Sequence, residues 1–413
     1  MSLSGAASTT GTDESRSATF YSWLIFALIV MLLASDYMSR QVLGAVTPLL
    51  KAEWHLDDEQ LGRLGSIIPA MVATLALPLS FAADRFGRVR AIVSMALLWS
   101  AATIACGLAQ SYGELFAARA VIGFGEAAYG SAGLAVIMAA FPARLRAVLT
   151  AGFMAGGPLG SVAGVALGGS IAADHGWRWS FGVMGAAGCL IALAFASVAR
   201  EARLAPPKSK ELATLRSLVS SKALLLVYLG SGLQLFVCGA MTFWLPAYFG
   251  RTYHYGVAQA AQFAAGVLLA QALGMVMVGM LSDRIASGGH GNRRFAIAAA
   301  VGIASGVLLV AGFMLPPSAL QLAALLGGAF LAAGTTGPVG SLVAQLTPPQ
   351  LHGTAFAVVT LGNNFLGLAP GPWIAGVIAL TLPLQQALAI TALVPLGATL
   401  AFIAAWQLQR SAA

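Results

Sequence analysis

The stretch Ser80-Phe81-Ala82-Ala83-Asp84-Arg85-Phe86-Gly87-Arg88 ends one long apolar run, and a shorter version of it, Gly279-Met280-Leu281-Ser282-Asp283-Arg284, ends another. The two Asp-Arg pairs lie 199 residues apart (283 minus 84) in a chain of 413 residues. Each pair stands at the end of the second apolar run of its half. This spacing predicts two similar halves, an arrangement typical of membrane transporters whose halves rock against each other.

The composition of the chain restricts the class of protein. Hydrophobic residues make up 59% of it and charged residues only 9%, whereas soluble proteins carry about 25% charged residues. This deficit excludes a soluble enzyme. The net charge of +8 is carried in short loops between apolar runs rather than on one face of a domain. We therefore expect the lipid bilayer, and no nucleic acid, as a partner.

Twelve apolar runs are long enough to be membrane helices, which need about 20 residues. They are much too long and continuous for the strands of a membrane barrel. The sequence therefore predicts an all-α membrane protein with twelve transmembrane helices in two pseudo-symmetric six-helix bundles. The predicted spans are 20–48, 60–82, 89–110, 113–140, 146–172, 178–199, 223–249, 258–281, 294–314, 319–346, 352–378 and 384–407.

These spans predict the domain organisation and the orientation. We expect a disordered cytoplasmic tail over 1–19, an N-terminal bundle over 20–199, a cytoplasmic linker over 200–222 and a C-terminal bundle over 223–408. With both termini in the cytoplasm, sixteen Lys and Arg residues fall on that side and four on the other. Because positive charge accumulates on the cytoplasmic side, we predict this orientation, in a bacterial inner membrane, for a protein that acts as a monomer.

Four charged residues lie more than five residues from either end of a predicted span, all in the first half: Asp36, Arg40, Arg119 and Glu126. Such residues are costly in a bilayer and usually functional. Asp36 and Arg40 share a face of the first helix, and Arg119 and Glu126 share a face of the fourth. Burial raises the pKa of a carboxyl group and a nearby arginine lowers it, so Asp36 or Glu126 is predicted to carry the coupling proton. The alternative is a static ion-pair network that only joins the two helices.

Polar residues within the second half are uncharged, and they include Gln271, Asn363 and Asn364. We predict that these bind substrate together with Arg40 and Arg119, while helix–helix hydrogen bonding is the alternative for the neutral residues. The expected cavity is then charged on the first-half side and neutral on the second. A substrate with one ionic end and a less polar remainder would fit it.

Asp84 lies at the cytoplasmic end of the second span, where it can meet a basic loop or a helix N-terminus of the other bundle. We predict that Asp84 and its loop form a gate rather than a binding site. The repeated motif gives the same predicted role to Arg85, Arg88, Asp283 and Arg284.

Cofactor chemistry has little support in the sequence. No Gly-x-x-x-x-Gly-Lys-Ser/Thr phosphate loop is present, so transport driven by ATP on this chain is not expected. The three cysteines lack metal-ligand spacing, and the five histidines lie in or near loops. We therefore predict no metal, no cofactor and no membrane-embedded enzyme. A non-transporting sensor or scaffold is the alternative of another class, and it would need a signalling domain, which we do not expect here.

Two segments resemble signatures of the major facilitator superfamily. The stretch 80–88 is similar to its loop motif Gly-x-Leu-x-Asp-Arg-x-Gly-Arg, with Ser80 in place of the first glycine, while the second copy keeps Gly279 but lacks the trailing Gly-Arg. Arg119-Ala120-Val121-Ile122-Gly123 resembles the fourth-helix signature that the family associates with proton coupling. The resemblance covers essentially the whole chain and implies the major facilitator fold and transport by alternating access.

The sequence indicates the branch of the family less specifically than it indicates the family itself. Gly123-Phe124-Gly125-Glu126-Ala127-Ala128-Tyr129 and Pro158-Leu159-Gly160-Ser161 look like the spinster branch of amphiphile and lipid transporters. That branch has Asn-Tyr-x-Asp-Arg in its first helix, and Asp36-Tyr37-Met38-Ser39-Arg40 keeps the Tyr and Arg but moves the acid about one turn inward. The first- and fourth-helix residues also resemble those of organic-anion:proton symporters.

Together these resemblances imply that Tyr37 and Tyr129 join the substrate site. We predict a proton-coupled secondary transporter of a small amphiphilic or organic-anion substrate, similar to the spinster branch. The alternative is a proton symporter that takes up a carboxylate, such as a sugar acid or an aromatic or aliphatic acid. Symport and antiport use the same kinds of residues, so the direction of transport stays open.

Overall fold

The computed structural model describes residues 20–200, 221–286, 292–348 and 351–412, and within these ranges the chain is helical without strands. The predicted tail 1–19 and nearly all of the predicted linker 200–222 lie outside the described residues. The helices of the first half are α1 (Phe20–Trp54), α2 (Asp58–Phe86), α3 (Arg88–Leu108), α4 in two segments (Tyr112–Glu126 and Tyr129–Ala140), α5 (Ala143–His175) and α6 (Trp177–Val198).

The helices of the second half follow the same order. They are α7 (Lys222–Tyr253), α8 (Val257–Ala286), α9 (Arg293–Met314), α10 in two segments (Ala319–Gly334 and Thr336–Leu346), α11 in three (His352–Gly362, Asn363–Leu368 and Pro370–Ile378) and α12 in two (Leu384–Thr391 and Val394–Ala412). In the described ranges, eleven of these helices are long and apolar enough to cross a membrane. The exception is α11, because its breaks leave no single long helix.

Within each half, at most six residues separate successive helices, which run in opposite directions, so each helix end belongs to one of two faces. We call the face where α2 begins the Asp58 face and the face where α2 ends the Asp84 face. Asp57 caps the start of α2, because its carboxylate accepts from the Gln60 backbone N–H at 2.7 Å while the Gln60 side chain accepts from the Asp57 N–H at 3.0 Å. At the other end, Gly87 has φ of 100°, a conformation that favours glycine, and links α2 directly to α3.

The internal repeat extends from the sequence to the backbone. His55 directly follows α1 and His254 directly follows α7, the first helix of each half, and both adopt the left-handed conformation with φ of 52° and 57°. They lie 199 residues apart (254 minus 55), the same offset as the two Asp-Arg pairs. Corresponding turns of the two halves therefore share one backbone geometry.

Glycines on α5 let α1 approach closely at its middle. A Cβ atom added at Gly160 would collide with the Ala34 carbonyl oxygen, and one added at Gly164 would lie 2.7 Å from Cα of Met38. Small residues of this kind allow membrane helices to pack backbone to backbone. The contact fixes the part of α1 that carries Asp36 and Arg40 inside the first bundle.

Two helices are interrupted at points that matter for the site. The first segment of α4 ends at Glu126, followed by a turn at Ala127 and Ala128. In α11 the segment Asn363–Leu368 is a π-helix, in which the Ala369 N–H donates to the Asn364 carbonyl oxygen at 2.9 Å. Pro370 follows and has no N–H to continue the α-helical ladder, which accounts for the local change of hydrogen bonding.

The two halves touch through pairs of helices, α1 with α7, α2 with α11, and α5 with α8. The α2–α11 contact is backbone to backbone near the Asp58 face. A Cβ added at Gly62 would lie 2.6 Å from the Pro372 carbonyl oxygen, and one added at Gly376 would collide with that of Asp58. The halves are therefore closed against each other at the Asp58 face.

Candidate functional site

The structure brings the four intramembrane charges into one buried cluster. Nε of Arg40 lies 2.6 Å from Oε2 of Glu126 and 3.5 Å from Oδ1 of Asp36, so this one guanidinium contacts both acids. Asp36 is 2% exposed and Glu126 4%. Because Glu126 ends a helix segment, the partial negative charge of that helix end adds to its own, and Arg40 offsets both.

Arg119 is a buried cation that pairs with backbone rather than with an acid. Its Nε donates to the Leu64 carbonyl oxygen at 2.7 Å, and its Nη2 donates to the Arg40 carbonyl oxygen at 3.5 Å. The residue is 1% exposed, and Nη1 has no hydrogen-bond partner among the described residues. The guanidinium is thus held in a fixed position with a donor left over.

A cavity of about 350 Å³ lies between the two halves and reaches these arginines. Arg40, Arg119 and Tyr37 line it from the first half, and the Tyr37 ring centroid is 5.0 Å from Cζ of Arg40. From the second half its polar lining residues are neutral, namely Thr242, Gln271 and Thr336. The other lining residues, which are mostly apolar, are Gln41, Gly65, Ile68, Pro69, Met154, Pro158, Ser161, Leu235, Cys238, Gly239, Phe243, Leu268, Ala272, Met275, Ala333, Leu368 and Pro372.

Gln271 is the buried amide of the second-half wall. Its Oε1 accepts a 3.4 Å hydrogen bond from Thr242 Oγ1, whereas its Nε2 has no partner among the described residues. The residue is 8% exposed. It therefore offers the cavity a neutral donor that the protein itself does not satisfy.

Other predicted site residues do not line this cavity. Asp36 and Glu126 lie behind Arg40. The Tyr129 hydroxyl donates to the Ile29 carbonyl oxygen at 2.6 Å, Asn363 accepts from the Ser231 hydroxyl at 2.7 Å, and Asn364 donates to the Thr360 carbonyl oxygen at 2.9 Å. These bonds join helices or stabilise a turn, and substrate binding by Tyr129, Asn363 and Asn364 stays a prediction.

The predicted gating residues lie at the Asp84 face. The backbone of Asp84 belongs to α2, and its side chain lies outside the described part of the structure. Arg85 and Arg284 are exposed, and Arg88 begins α3. Asp283 accepts from Arg294 Nη2 at 3.3 Å and from the Ser341 hydroxyl at 3.2 Å, so it ties α8 to α9 and α10 within the second half.

One ionic contact between the halves was missed by the sequence reasoning. Asp58 accepts from Lys51 Nζ at 2.5 Å and from both Nη atoms of Arg251 at 2.7 Å. Lys51 and Asp58 belong to the first half and Arg251 to the second. Asp58 and Arg251 are 193 residues apart in the chain, and no local spacing could have indicated the pair. Among the described residues, no group of three or more His, Cys, Asp or Glu side chains could hold a metal ion.

Known proteins resemble this chain in sequence and in fold. Residues 28–289, more than half of the chain, match the family model described as Major Facilitator Superfamily. The cis,cis-muconate transport protein of Acinetobacter baylyi is 26% identical over 369 residues, covering 84% of this chain and 85% of that protein. Human protein spinster homolog 1 is 26% identical over 256 residues, covering 59% of this chain and 48% of that protein.

Solved structures share the arrangement of helices. The inward-facing, unoccupied structure of a bacterial homologue of the human lysosomal transporter spinster superposes with a TM-score of 0.82 at 19% identity, covering 95% of this chain and 98% of that one. This likeness confirms the predicted twelve-helix architecture in two bundles. The relatives also confirm the resemblance to spinster-like and organic-anion transporters, and they identify the molecule as a multi-pass membrane protein.

Proposed function

Because the chain belongs to the major facilitator superfamily, we propose that it is a secondary transporter that carries a small organic anion together with protons by alternating access. The observation that carries the proposal is Arg119, a buried guanidinium that lines the cavity between the halves with one nitrogen left without a partner. A desolvated cation without a carboxylate partner favours an anionic ligand. Its natural counterpart is a carboxylate.

The rest of the cavity sets the shape of that substrate. The carboxylate would lie against Arg119 in the first half, and the remainder would extend toward Gln271 and the apolar residues of the second half. The cavity of about 350 Å³ suits a molecule of metabolite size. The name of the Acinetobacter baylyi relative, a transport protein for cis,cis-muconate, supports an organic acid as cargo.

Charge balance within the cluster explains how a proton and an anion can travel together. Asp36 and Glu126 carry two negative charges when ionised, and Arg40 and Arg119 carry two positive ones, so the empty cluster is neutral. A proton on either acid leaves one positive charge uncompensated. Arg40 lines the cavity while its Nε contacts Glu126, so loss of that negative charge frees Arg40 to attract the substrate carboxylate. Each ligand therefore favours binding of the other.

The orientation and the cycle follow from the same elements. We place the Asp84 face in the cytoplasm, on the positive-inside count, in a bacterial inner membrane. The contacts of α2 with α11 close the Asp58 face. Alternating access requires that these contacts break while others form at the Asp84 face, with the ligand site between the two halves.

An amphiphile is the second candidate substrate. Apolar side chains dominate the second-half wall, with Leu235, Leu268 and Met275 among the lining residues. They could pack against an alkyl or aromatic tail while the arginines hold an anionic head. The relationship to human protein spinster homolog 1 makes this candidate worth testing in parallel.

Transport in liposomes tests the proposal directly. Purified protein is reconstituted, a pH gradient is imposed, and uptake of labelled cis,cis-muconate, benzoate, gluconate and a lysophospholipid is measured. We expect gradient-driven accumulation of at least one carboxylate. Accumulation of the lysophospholipid without that of any carboxylate would replace the first candidate by the second, and no flux of any of the four would reject both.

Variants of the two acids test the coupling. Glu126→Gln removes the charge that contacts Arg40, so it should abolish accumulation against a gradient while substrate exchange between the two sides continues. Asp36→Asn is the parallel variant, and Asp174→Asn, which changes an exposed acid at the end of α5, is the matched control. If Glu126→Gln and Asp36→Asn both keep full gradient-driven accumulation, these acids do not carry the proton.

A further inference from the structure

A second cavity, of about 360 Å³, lies between α1, α7 and α8 at the Asp58 face. Its charged lining residues are Lys51 from the first half and Arg251 from the second, and Tyr255 lies beside them. None of its lining residues belongs to the central cavity. Along α1, Lys51 is eleven residues beyond Arg40, which is about 16 Å of helix. The two cavities are therefore separate places on the same helix.

Two cations of this second cavity share a single acidic partner. Asp58 is 4% exposed and accepts from both Lys51 and Arg251, so two positive charges share one negative charge. The neighbouring acids have other partners, since Glu53 pairs with Arg178, Glu59 pairs with Arg63, and Asp57 caps the start of α2. The side chains that line the cavity therefore carry two positive charges and no negative one.

Hydrogen-bonding capacity points the same way. A lysine ammonium has three N–H donors and an arginine guanidinium has five. Asp58 takes one from Lys51 and two from Arg251, which leaves most of their donors for another acceptor. The side chains of Lys51 and Arg251 are 41% and 37% exposed, so a ligand can reach them. The acid that positions them is buried beneath.

We propose that this cavity is a second anion site, a vestibule in which Lys51 and Arg251 hold the carboxylate of an organic anion at the Asp58 face. The identity of its ligand as the cargo rests on the proposed function, whereas the site itself does not. A carboxylate bound here competes with Asp58 for Arg251. Its binding weakens the ionic link between the halves and favours opening of the Asp58 face. A bound anion therefore promotes the opening through which it enters.

A thiol-protection experiment tests the vestibule without measuring transport. Ala52, an exposed lining residue, is changed to Cys in a chain whose Cys106, Cys189 and Cys238 are replaced by Ala. In lipid nanodiscs, the Ala52→Cys protein is labelled with a sulfonate-bearing methanethiosulfonate and with a neutral one. We expect the anionic reagent to be favoured here relative to Gln110→Cys, a control on the same face. Benzoate should slow labelling at Ala52→Cys saturably and leave Gln110→Cys unaffected.

Charge variants then separate an anion site from a merely structural contact. Lys51→Gln and Arg251→Gln should each weaken protection by benzoate about threefold or more, while Asp58→Asn, which removes the competing acid, should strengthen it about threefold. Arg119→Gln, in the central cavity, should leave protection unchanged. Because the expected shifts have opposite signs, general destabilisation of the protein cannot imitate them.

Three outcomes would overturn the proposal. They are absence of protection at Ala52→Cys, equal protection after Lys51→Gln and Arg251→Gln, and protection by chloride or sulfate as strong as that by benzoate at the same concentration. The last would show a site for small inorganic anions rather than for carboxylates. Failure of carboxylate flux in liposomes, with protection intact, would reject the proposed function and leave the vestibule standing.

Discussion

The two walls of the central cavity come from the two copies of one repeat, yet their chemistry differs. The first-half wall presents the guanidinium groups of Arg40 and Arg119, and the second-half wall presents neutral groups such as Gln271 and Thr242. The backbones still correspond, as His55 and His254 show at the ends of α1 and α7. The two halves therefore share helix geometry, while the side chains that line the cavity differ between them.

This asymmetry has a mechanical consequence. The ion pairs of Arg40 with Asp36 and Glu126 lie wholly within the first half, so rocking of the halves would leave these central pairs intact and avoid the cost of separating them. The ion pair of Asp58 with Arg251 crosses between the halves, and it lies at a face rather than at the centre. Within the central cavity, the charged lining residues therefore belong to the first half, and the polar lining residues of the second half are neutral.

Replacing Arg119 should reduce the difference between the two cavity walls more than any other change. Arg119→Gln removes the cation that has no acid partner while keeping a polar side chain. A hydrogen bond to a charged group is worth about 1.5–3 kcal/mol, so affinity for a carboxylate substrate should fall about 10- to 100-fold. A neutral amide analogue of the same acid should lose little. Binding of both ligands is measured by isothermal titration calorimetry on protein in nanodiscs.

Arg119→Lys serves as the matched control for that measurement. It keeps the charge but cannot keep both backbone hydrogen bonds to Leu64 and Arg40. We expect it to retain more affinity for the carboxylate than Arg119→Gln. If affinity falls equally for the carboxylate and for its amide analogue, Arg119 only supports the packing of α2 and α1. The first-half wall would then not recognise the substrate charge through Arg119.

The fold could be predicted from the sequence because the bilayer imposes a simple requirement on every helix that crosses it. A helix that crosses it must be apolar over about 20 residues, and the runs are continuous enough to count. Breaks within helices were harder to predict. The span 352–378 was expected to be one helix, whereas the structure divides it at Asn363–Leu368. Pro370 signals a break there, but a proline does not tell whether a helix kinks, ends or adopts a π-turn.

The candidate site could be predicted only where its residues lie close in the chain. Asp36 and Arg40 are four residues apart, so helix geometry alone places them together. Asp58 and Arg251 meet only because two halves pack, and no local pattern encodes that pair. Adjacent residues such as Asn363 and Asn364 point about 100° apart around a helix, so the sequence could not decide which of them faces a cavity.

The second-half wall can be tested with Gln271→Leu, which keeps the volume of the side chain and removes its amide. The unpartnered Nε2 donor is lost, and a neutral hydrogen bond is worth about 0.5–1.5 kcal/mol, so affinity should fall about 2- to 10-fold. The carboxylate and its amide analogue should lose alike, since the group is uncharged. A loss confined to the carboxylate would show that ionic recognition extends across both walls.

Asn364→Ala should have the smallest effect on binding. The Asn364 amide donates to Thr360 within α11 and does not line the cavity, so affinity for either ligand should change by less than about 2-fold. Its bond steadies the π-segment, and α11 packs on α2 where the halves close. The variant should therefore alter the turnover rate in liposomes more than the dissociation constant. If Asn364→Ala instead weakens binding more than Gln271→Leu does, the second-half wall is formed by α11, and the ligand lies deeper between α2 and α11 than the cavity at Arg119 indicates.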